Sequence, residues 1–297
     1  MNHLIEYLKG KNIHTSRLAL VRFLLALGLL LTVLNNDLTH IANHNYTRLY
    51  GYTIRHSPNF HRPLDGADLF IMMSPESARV VVIIILLTVM TGFLPQITGI
   101  LFAWACFSIH NFFVINNGGD DLAFVLSFML LPICLTDPRI NTWKRKDAAP
   151  SQRNIIANIA MVAIWIQAAW TYFDASYAKL FTPQWRNGTA VYFYTSHYRL
   201  GAPDWLKHIN EFITLTQFVR VLSWGTLLLE LLLAACIFFP SRIKRKFILP
   251  ALFFHFLIVI NFGLITFFIA ITAMLLLYLD DDDVFTKKLL FWPKKQD

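Results

Sequence analysis

Lys179, Glu230, His255 and Asp120 are the residues whose type and surroundings point most directly to chemistry. Each lies within or at the end of an apolar run, and an ionisable group at membrane depth is costly enough to mark a functional candidate. A lysine held in an apolar chamber loses hydration, which favours a neutral amine able to act as a base. Tyr172, Ser176 and Lys179 follow at spacings of four and three, so a helix puts them on one face. Glu230 and His255 have no interface nearby to relieve them; they read either as a shared polar site or as a structural pair. His110 reads as a site residue or as a hydrogen-bond partner between helices. Asp120 and Asp121 read as site residues or as wet loop residues. Arg22, one turn into the first apolar run, is expected to snorkel to the interface.

The elements that must carry these groups are membrane helices. Of 297 residues, 56% are apolar and 15% charged, where a soluble domain carries about 25% charge. Mean hydropathy is +0.50. This composition excludes disordered, fibrous and disulfide-scaffold proteins. The net charge of +8 is explained by basic residues on one side of a membrane, without nucleic acid. Cys106, Cys134 and Cys236 lie in apolar runs without CxxC spacing; they read as small buried hydrophobes, with no metal site. The first run follows Lys9, Lys11 and Arg17 without a small-x-small cleavage site, so it reads as a retained helix.

Apolar runs cover Leu18–Leu34, Val80–Leu94, Ile97–Ile115, Leu122–Leu135, Ile155–Tyr172, Val221–Phe239 and Phe247–Leu279. The last has 33 residues, about 50 Å as one helix against a bilayer core of about 30 Å. Asn261 and Gly263 near its middle predict two short spans, ending near Ile260 and starting near Leu264. The reading is an all-α, polytopic membrane helical bundle of about eight spans. It forms a single domain over 1–297 with its core in 18–280. A cytoplasmic N-terminus puts 16 of the 26 Lys and Arg inside, crowded at Arg139, Lys144, Arg145 and Lys146 and at Arg242, Lys244, Arg245 and Lys246. That is the positive-inside pattern, and it also places the C-terminus, with Lys287, Lys288, Lys294 and Lys295, in the cytoplasm. Asp280–Asp283 reads as a solvated stop. Two long outer segments, one with His40, His44, His56 and His61 and one with a dense aromatic set, are expected to cover a site or partner. His110, Asp120, Lys179, Glu230 and His255 then converge on the middle and outer half of the bundle, an outward-facing polar chamber.

The stretch YFDASYAKLFTPQWRNGTAVY, Tyr172–Tyr192, resembles the lysine-bearing block of the HTTM domain, the transmembrane domain of vitamin K-dependent gamma-carboxylase. The polar turn Asn116-Asn-Gly-Gly-Asp-Asp-Leu, the acidic Glu230 and the helix of His255 with Asn261 and Phe267 agree in order. The GGDD turn, LLPICLTDPR at Leu130–Arg139 and Trp143 resemble the sporulation-delaying-protein B family in particular. The resemblance implies a bacterial inner-membrane, multi-pass protein that matures a secreted antimicrobial or toxin peptide. Its implied partners are the precursor peptide, a small companion protein and membrane lipid. It makes Lys179 the base, with Glu230, His255, Trp185 and Gly188 at matching positions and a reduced quinone as the implied cofactor. Together with the polar residues of the apolar runs, the expected site has Lys179, His255, Glu230 and Asp120 as catalytic residues and Tyr172, Trp185, Gly188 and His110 as cofactor-binding ones. Two positions depart: Gly118 stands where the carboxylase has a histidine, and Ser176 replaces a glycine. The resemblance is confined to the transmembrane domain, and no counterpart of the carboxylase's large extracytoplasmic substrate domain is expected. A quinone-dependent enzyme and a non-enzymatic immunity or assembly factor remain alternatives. No phosphate-binding glycine loop, HExxH or GxSxG occurs, which leaves ATP-driven, zinc and serine chemistry without support.

Overall fold

The computed structural model describes residues 2–37, 67–113, 117–144, 150–197 and 201–280. His40, His44, His56 and His61, Asn116, Arg145, Lys146, Asp281–Asp283 and the C-terminal lysines lie outside the described residues. No strand occurs among the described residues, and the helices follow the apolar runs. They are α1 (Asn2–Gly10), α2 (Ser16–Asn35), α3 (Leu69–Met72), α4 (Pro75–Thr91), α5 (Pro95–Phe112), α6 (Gly118–Thr136) and α7 (Gln152–Leu180). After these come α8 (Pro183–Arg186), α9 (Ala190–Thr195), α10 (Asp204–Thr214), α11 (Phe218–Ala235), α12 (Ser241–Lys244), α13 (Ile248–Phe262) and α14 (Ile265–Leu279).

Local chemistry sets the starts. Ser74 caps α4 by accepting from the Ser77 N–H, with Pro75 at the first helical position. Asn117 caps α6 by accepting from the N–H groups of Gly119 and Asp120. The expected break in the last apolar block is present. Gly263 adopts the left-handed conformation at φ 69° and closes α13 by bonding its N–H to the Val259 carbonyl, and α14 begins two residues later.

Four helical stretches are long and apolar enough to cross a membrane: Ser16–Asn35, Gly118–Thr136, Gln152–Leu180 and Phe218–Phe238. The other four expected segments are also helical, α4, α5, α13 and α14, but each has only 15 to 18 residues. That is about 22 to 27 Å at 1.5 Å per residue.

The chain divides into two compact units, 1–162 with 269–273, and 163–268 with 274–297. In the first, α2 packs on α4 and α6, and α5 packs on α4 and α6. The start of α7 is tied to α1 by Asn154 and Asn158, whose amides donate to the carbonyls of Lys9 (2.7 Å), Leu8 (3.1 Å) and Lys11 (2.8 Å). Arg22 does not snorkel: it is 2% exposed and donates to Thr98 Oγ1 at 2.6 Å. The packing of α4 through α6 around α2 covers it, and a hydroxyl from α5 replaces interfacial water. The three cysteines are free and buried, as expected.

His14, just ahead of α2, is 2% exposed, with Nε2 3.3 Å from Thr136 Oγ1. Burial pushes the His14 imidazole below its ordinary value, against a smaller raising effect from Asp137. The unfolded chain therefore takes up this proton first. The stabilisation is complete above a pH of about 6.5, the ordinary histidine value, and drains away as pH falls towards the folded value. Thermal unfolding in detergent should show a stability loss below pH 6.5 whose slope is shallower in His14→Gln; equal slopes would contradict this.

In the second unit, α9, α10 and α11 pack together, and Tyr278 of α14 donates its hydroxyl to the Leu233 and Ala234 carbonyls at 2.9 and 3.0 Å. Asp280, expected as a solvated stop, is fully buried. Leu275–Leu279 before it are buried too, so α14 ends inside packed protein rather than at its surface.

Candidate functional site

The C-terminal part of α7 carries the expected face, and α11 packs against it. Ser176 Oγ donates to the Leu227 carbonyl at 3.3 Å. Lys179 Nζ contacts both carboxylate oxygens of Glu230, Oε1 at 2.7 Å and Oε2 at 3.0 Å, and donates to the Ala175 carbonyl at 3.2 Å. Helix geometry explains the meeting level. Side chains lean towards the N-terminus of their helix, so Lys179 folds back one turn and meets Glu230 beside Ala175. The Glu230 side chain is 7% exposed and that of Lys179 24%.

The turn after α7 completes the surroundings of the amine. Pro183 opens α8, which brings Trp185 back so that Lys179 Nζ lies 5.4 Å from the centre of its ring, within cation–π range. Trp185 packs with Ala190 and Leu227 in a small apolar cluster. Gly188 has φ +80°, and a Cβ there would lie 2.8 Å from Arg220 Cγ and 3.2 Å from its Cα. Only glycine permits that backbone so close to α11. Gly188→Ala should cost about 1–3 kcal/mol, read as a lower unfolding temperature; an unchanged temperature would show that the turn relaxes freely.

Two turns earlier on α7, about 10 Å along the axis, Tyr172 is 3% exposed and meets His255 edge-on, ring centres 6.0 Å apart. The Tyr172 hydroxyl is buried without a hydrogen-bond partner among the described residues. His255 is 3% exposed and flanked by Phe254 and Phe267 at 4.9 and 5.9 Å. Its Nδ1 lies 2.8 Å from the Ala251 carbonyl. A carbonyl can only accept, so Nδ1 carries the hydrogen and Nε2 presents a lone pair. The second unit thus holds a carboxylate–ammonium pair and, along the same helix face, a phenol hydroxyl beside a histidine acceptor. Such a set can bind a polar group and pass a proton.

Asp120 and His110 belong to the first unit. Asp120, 4% exposed, accepts from Thr32 Oγ1 and Asn117 Nδ2, both at 2.9 Å, so it is no wet loop residue. His110 stacks on Phe124 at 4.3 Å and sets Nδ1 3.1 Å from Asp121 Oδ1, joining α5 to α6. Sequence reasoning missed Lys244, which is 3% exposed with Nζ 4.7 Å from the Trp165 ring centre and 5.7 Å from that of Tyr278. Its neighbours Arg242 and Arg245 made it look like an ordinary inner-loop charge. No metal-binding group of histidine, cysteine or acidic residues occurs among the described residues.

The uncharacterized protein YitO of Bacillus subtilis (strain 168) is 34% identical to this chain over 224 residues, 73% of this chain and 72% of YitO. The chain belongs to the YitO family. It is also similar to the sporulation-delaying protein SdpB of the same organism, at 30% identity over 206 residues. That match covers 69% of this chain and 64% of SdpB, so the chain spans slightly under two thirds of SdpB. The expected likeness to the sporulation-delaying-protein B family is supported to that extent. No family model matches the chain, and no solved structure matches it significantly.

Proposed function

We propose that this protein is a multi-pass protein of the bacterial inner membrane needed to mature a secreted antimicrobial or toxin peptide. The likeness to SdpB, named as a sporulation-delaying protein, carries this reading. The four long apolar helices support the membrane setting. The proposal extends to about eight spans, the short helices crossing a locally thinned bilayer, with both termini in the cytoplasm. It also takes the domain to be HTTM-like, with the precursor peptide and a small companion protein as partners.

In this reading Lys179, Glu230, Tyr172 and His255, all of the second unit, line an outward-facing chamber that receives the precursor. The Tyr172 hydroxyl and His255 Nε2 would offer a donor and an acceptor to a polar group of the peptide, with the Lys179–Glu230 pair further along the same helix face as a second polar anchor. These residues do not fit an amine base acting on a reduced quinone. Glu230 holds both oxygens within 3.0 Å of Nζ, so a base would first have to lose that partner. Gly118 also stands where the carboxylase has its assisting histidine.

A strain lacking the gene, complemented with wild type or Lys179→Ala, provides the test. Mature peptide should vanish on deletion, return with wild type and stay at least tenfold lower with Lys179→Ala. Normal mature peptide in the deletion strain would refute the function. Normal peptide with Lys179→Ala alone would leave an assembly or immunity factor that does no work at this site.

A further inference from the structure

Helix α10 has three distinct sides. Leu206 and Thr214 are buried, and Asn210 and Ile213 are half-buried; this side faces the protein and is fastened where Asn210 Nδ2 donates to Asn261 Oδ1 at 2.8 Å. Asp204, Lys207, His208 and Glu211 form a polar side, with Lys207 Nζ 2.5 Å from Asp204 Oδ1 and His208 Nδ1 3.8 Å from Glu211 Oε2. Between these, Trp205, Ile209 and Phe212 stand 68%, 52% and 81% exposed. At 100° per residue their directions span about 60°.

We infer that α10 is an interfacial helix whose Trp205–Ile209–Phe212 edge lies in the lipid at the membrane surface. Three features favour lipid over a protein partner. First, α10 sits where membrane helices end: Asn261 is next to the last residue of α13, and α11 starts four residues after α10. Second, the exposed apolar edge continues through Leu215 into Phe218, Val221, Trp224 and Leu228, exposed along one face of α11, a helix long and apolar enough to cross. Third, the edge is one side chain wide, far short of the roughly 800 Å² per partner that a stable protein interface buries. A tryptophan beside a charged edge also matches the headgroup level, where the ring is apolar and its N–H is wet.

The inference rests on the membrane setting but not on the maturation role. Full-length protein in nanodiscs of phosphatidylethanolamine and phosphatidylglycerol, with its three native cysteines replaced by serine, would carry one spin label at position 208, 209, 211 or 212. At 209 and 212, collision with oxygen should exceed collision with a water-soluble nickel complex severalfold, and at 208 and 211 the order should reverse. Nickel access at all four positions, or neither reagent reaching 209 and 212, would overturn the inference, since the edge would then face water or be covered by protein. The unlabelled protein gives an independent reading. Lipids brominated near the headgroup should quench a fraction of its tryptophan fluorescence that Trp205→Phe removes. Equal quenching in wild type and variant would count against the inference whatever becomes of the cysteine-free protein.

Discussion

Lys179→Met is expected to lower stability by about 2–3 kcal/mol and to reduce mature peptide at least tenfold. Breaking a buried pair by removing one partner costs about 3–5 kcal/mol, because the remaining charge is left uncompensated. Glu230 is nearly buried, but Lys179 is about a quarter exposed, which places the expectation just below that range. The loss also includes the contact over Trp185, about 0.5–1 kcal/mol. Glu230→Gln keeps the shape of the acid and should cost less than Lys179→Met. The informative variant is Lys179→Met with Glu230→Leu. Replacing both charges with apolar groups of similar volume is often neutral, so the double variant should regain most of the lost stability, a coupling of about 1–3 kcal/mol. If the pair only holds α7 to α11, mature peptide should return with stability. If it serves the precursor, the double variant should unfold at nearly the wild-type temperature and still make no mature peptide.

The two members of this pair were legible as types and not as partners. Ionisable groups in apolar runs marked Lys179 and Glu230 separately, and the four-and-three spacing placed Tyr172, Ser176 and Lys179 on one face. That face does meet α11. The direct contact joins residues 51 positions apart in the chain, which no local pattern reports. Asp120 shows the same limit: its acceptor role depends on Thr32, 88 residues away, so the polar turn alone looked as much like a wet loop as a site. The break at Gly263 was readable because backbone chemistry makes it: a glycine can enter the left-handed region that ends a helix. Arg22 and Asp280 failed for a shared reason. Both were read by distance along the chain from an apolar end, as though that measured depth. Burial is decided by what packs over the residue, as Lys244, 3% exposed beside the Trp165 ring, also shows.

Asp137→Asn is expected to destabilise the protein by about 3–5 kcal/mol, and here the double replacement should bring little recovery. Arg139 and Asp137 are 4% and 2% exposed. Arg139 Nε donates to Oδ1 at 2.9 Å and Nη2 to Oδ2 at 2.6 Å, a fork that an amide matches poorly and a lysine cannot make. The same guanidinium also serves the backbone, through Nη1 to the Thr142 carbonyl at 2.9 Å and Nη2 to the Thr15 carbonyl at 3.3 Å. The Asp137 carboxylate accepts from the Arg139 N–H at 3.0 Å, and the Asp137 carbonyl accepts from Gln96 Nε2. The pair thus pins the loop after α6 to the start of α2. Asp137→Asn leaves a buried cation with half its partner. Asp137→Leu with Arg139→Leu removes both charges but strips the donor from the Thr142 carbonyl and the acceptor from the residue-139 N–H, at about 1–3 kcal/mol for each group left unsatisfied, while the Thr15 carbonyl keeps the Leu18 N–H at 3.2 Å. Unfolding temperatures in detergent should therefore rank wild type well above both variants, in contrast with the recovery expected at Lys179 and Glu230. A double variant as stable as wild type would mean that these two backbone groups find other partners and that the fork is a replaceable charge pair.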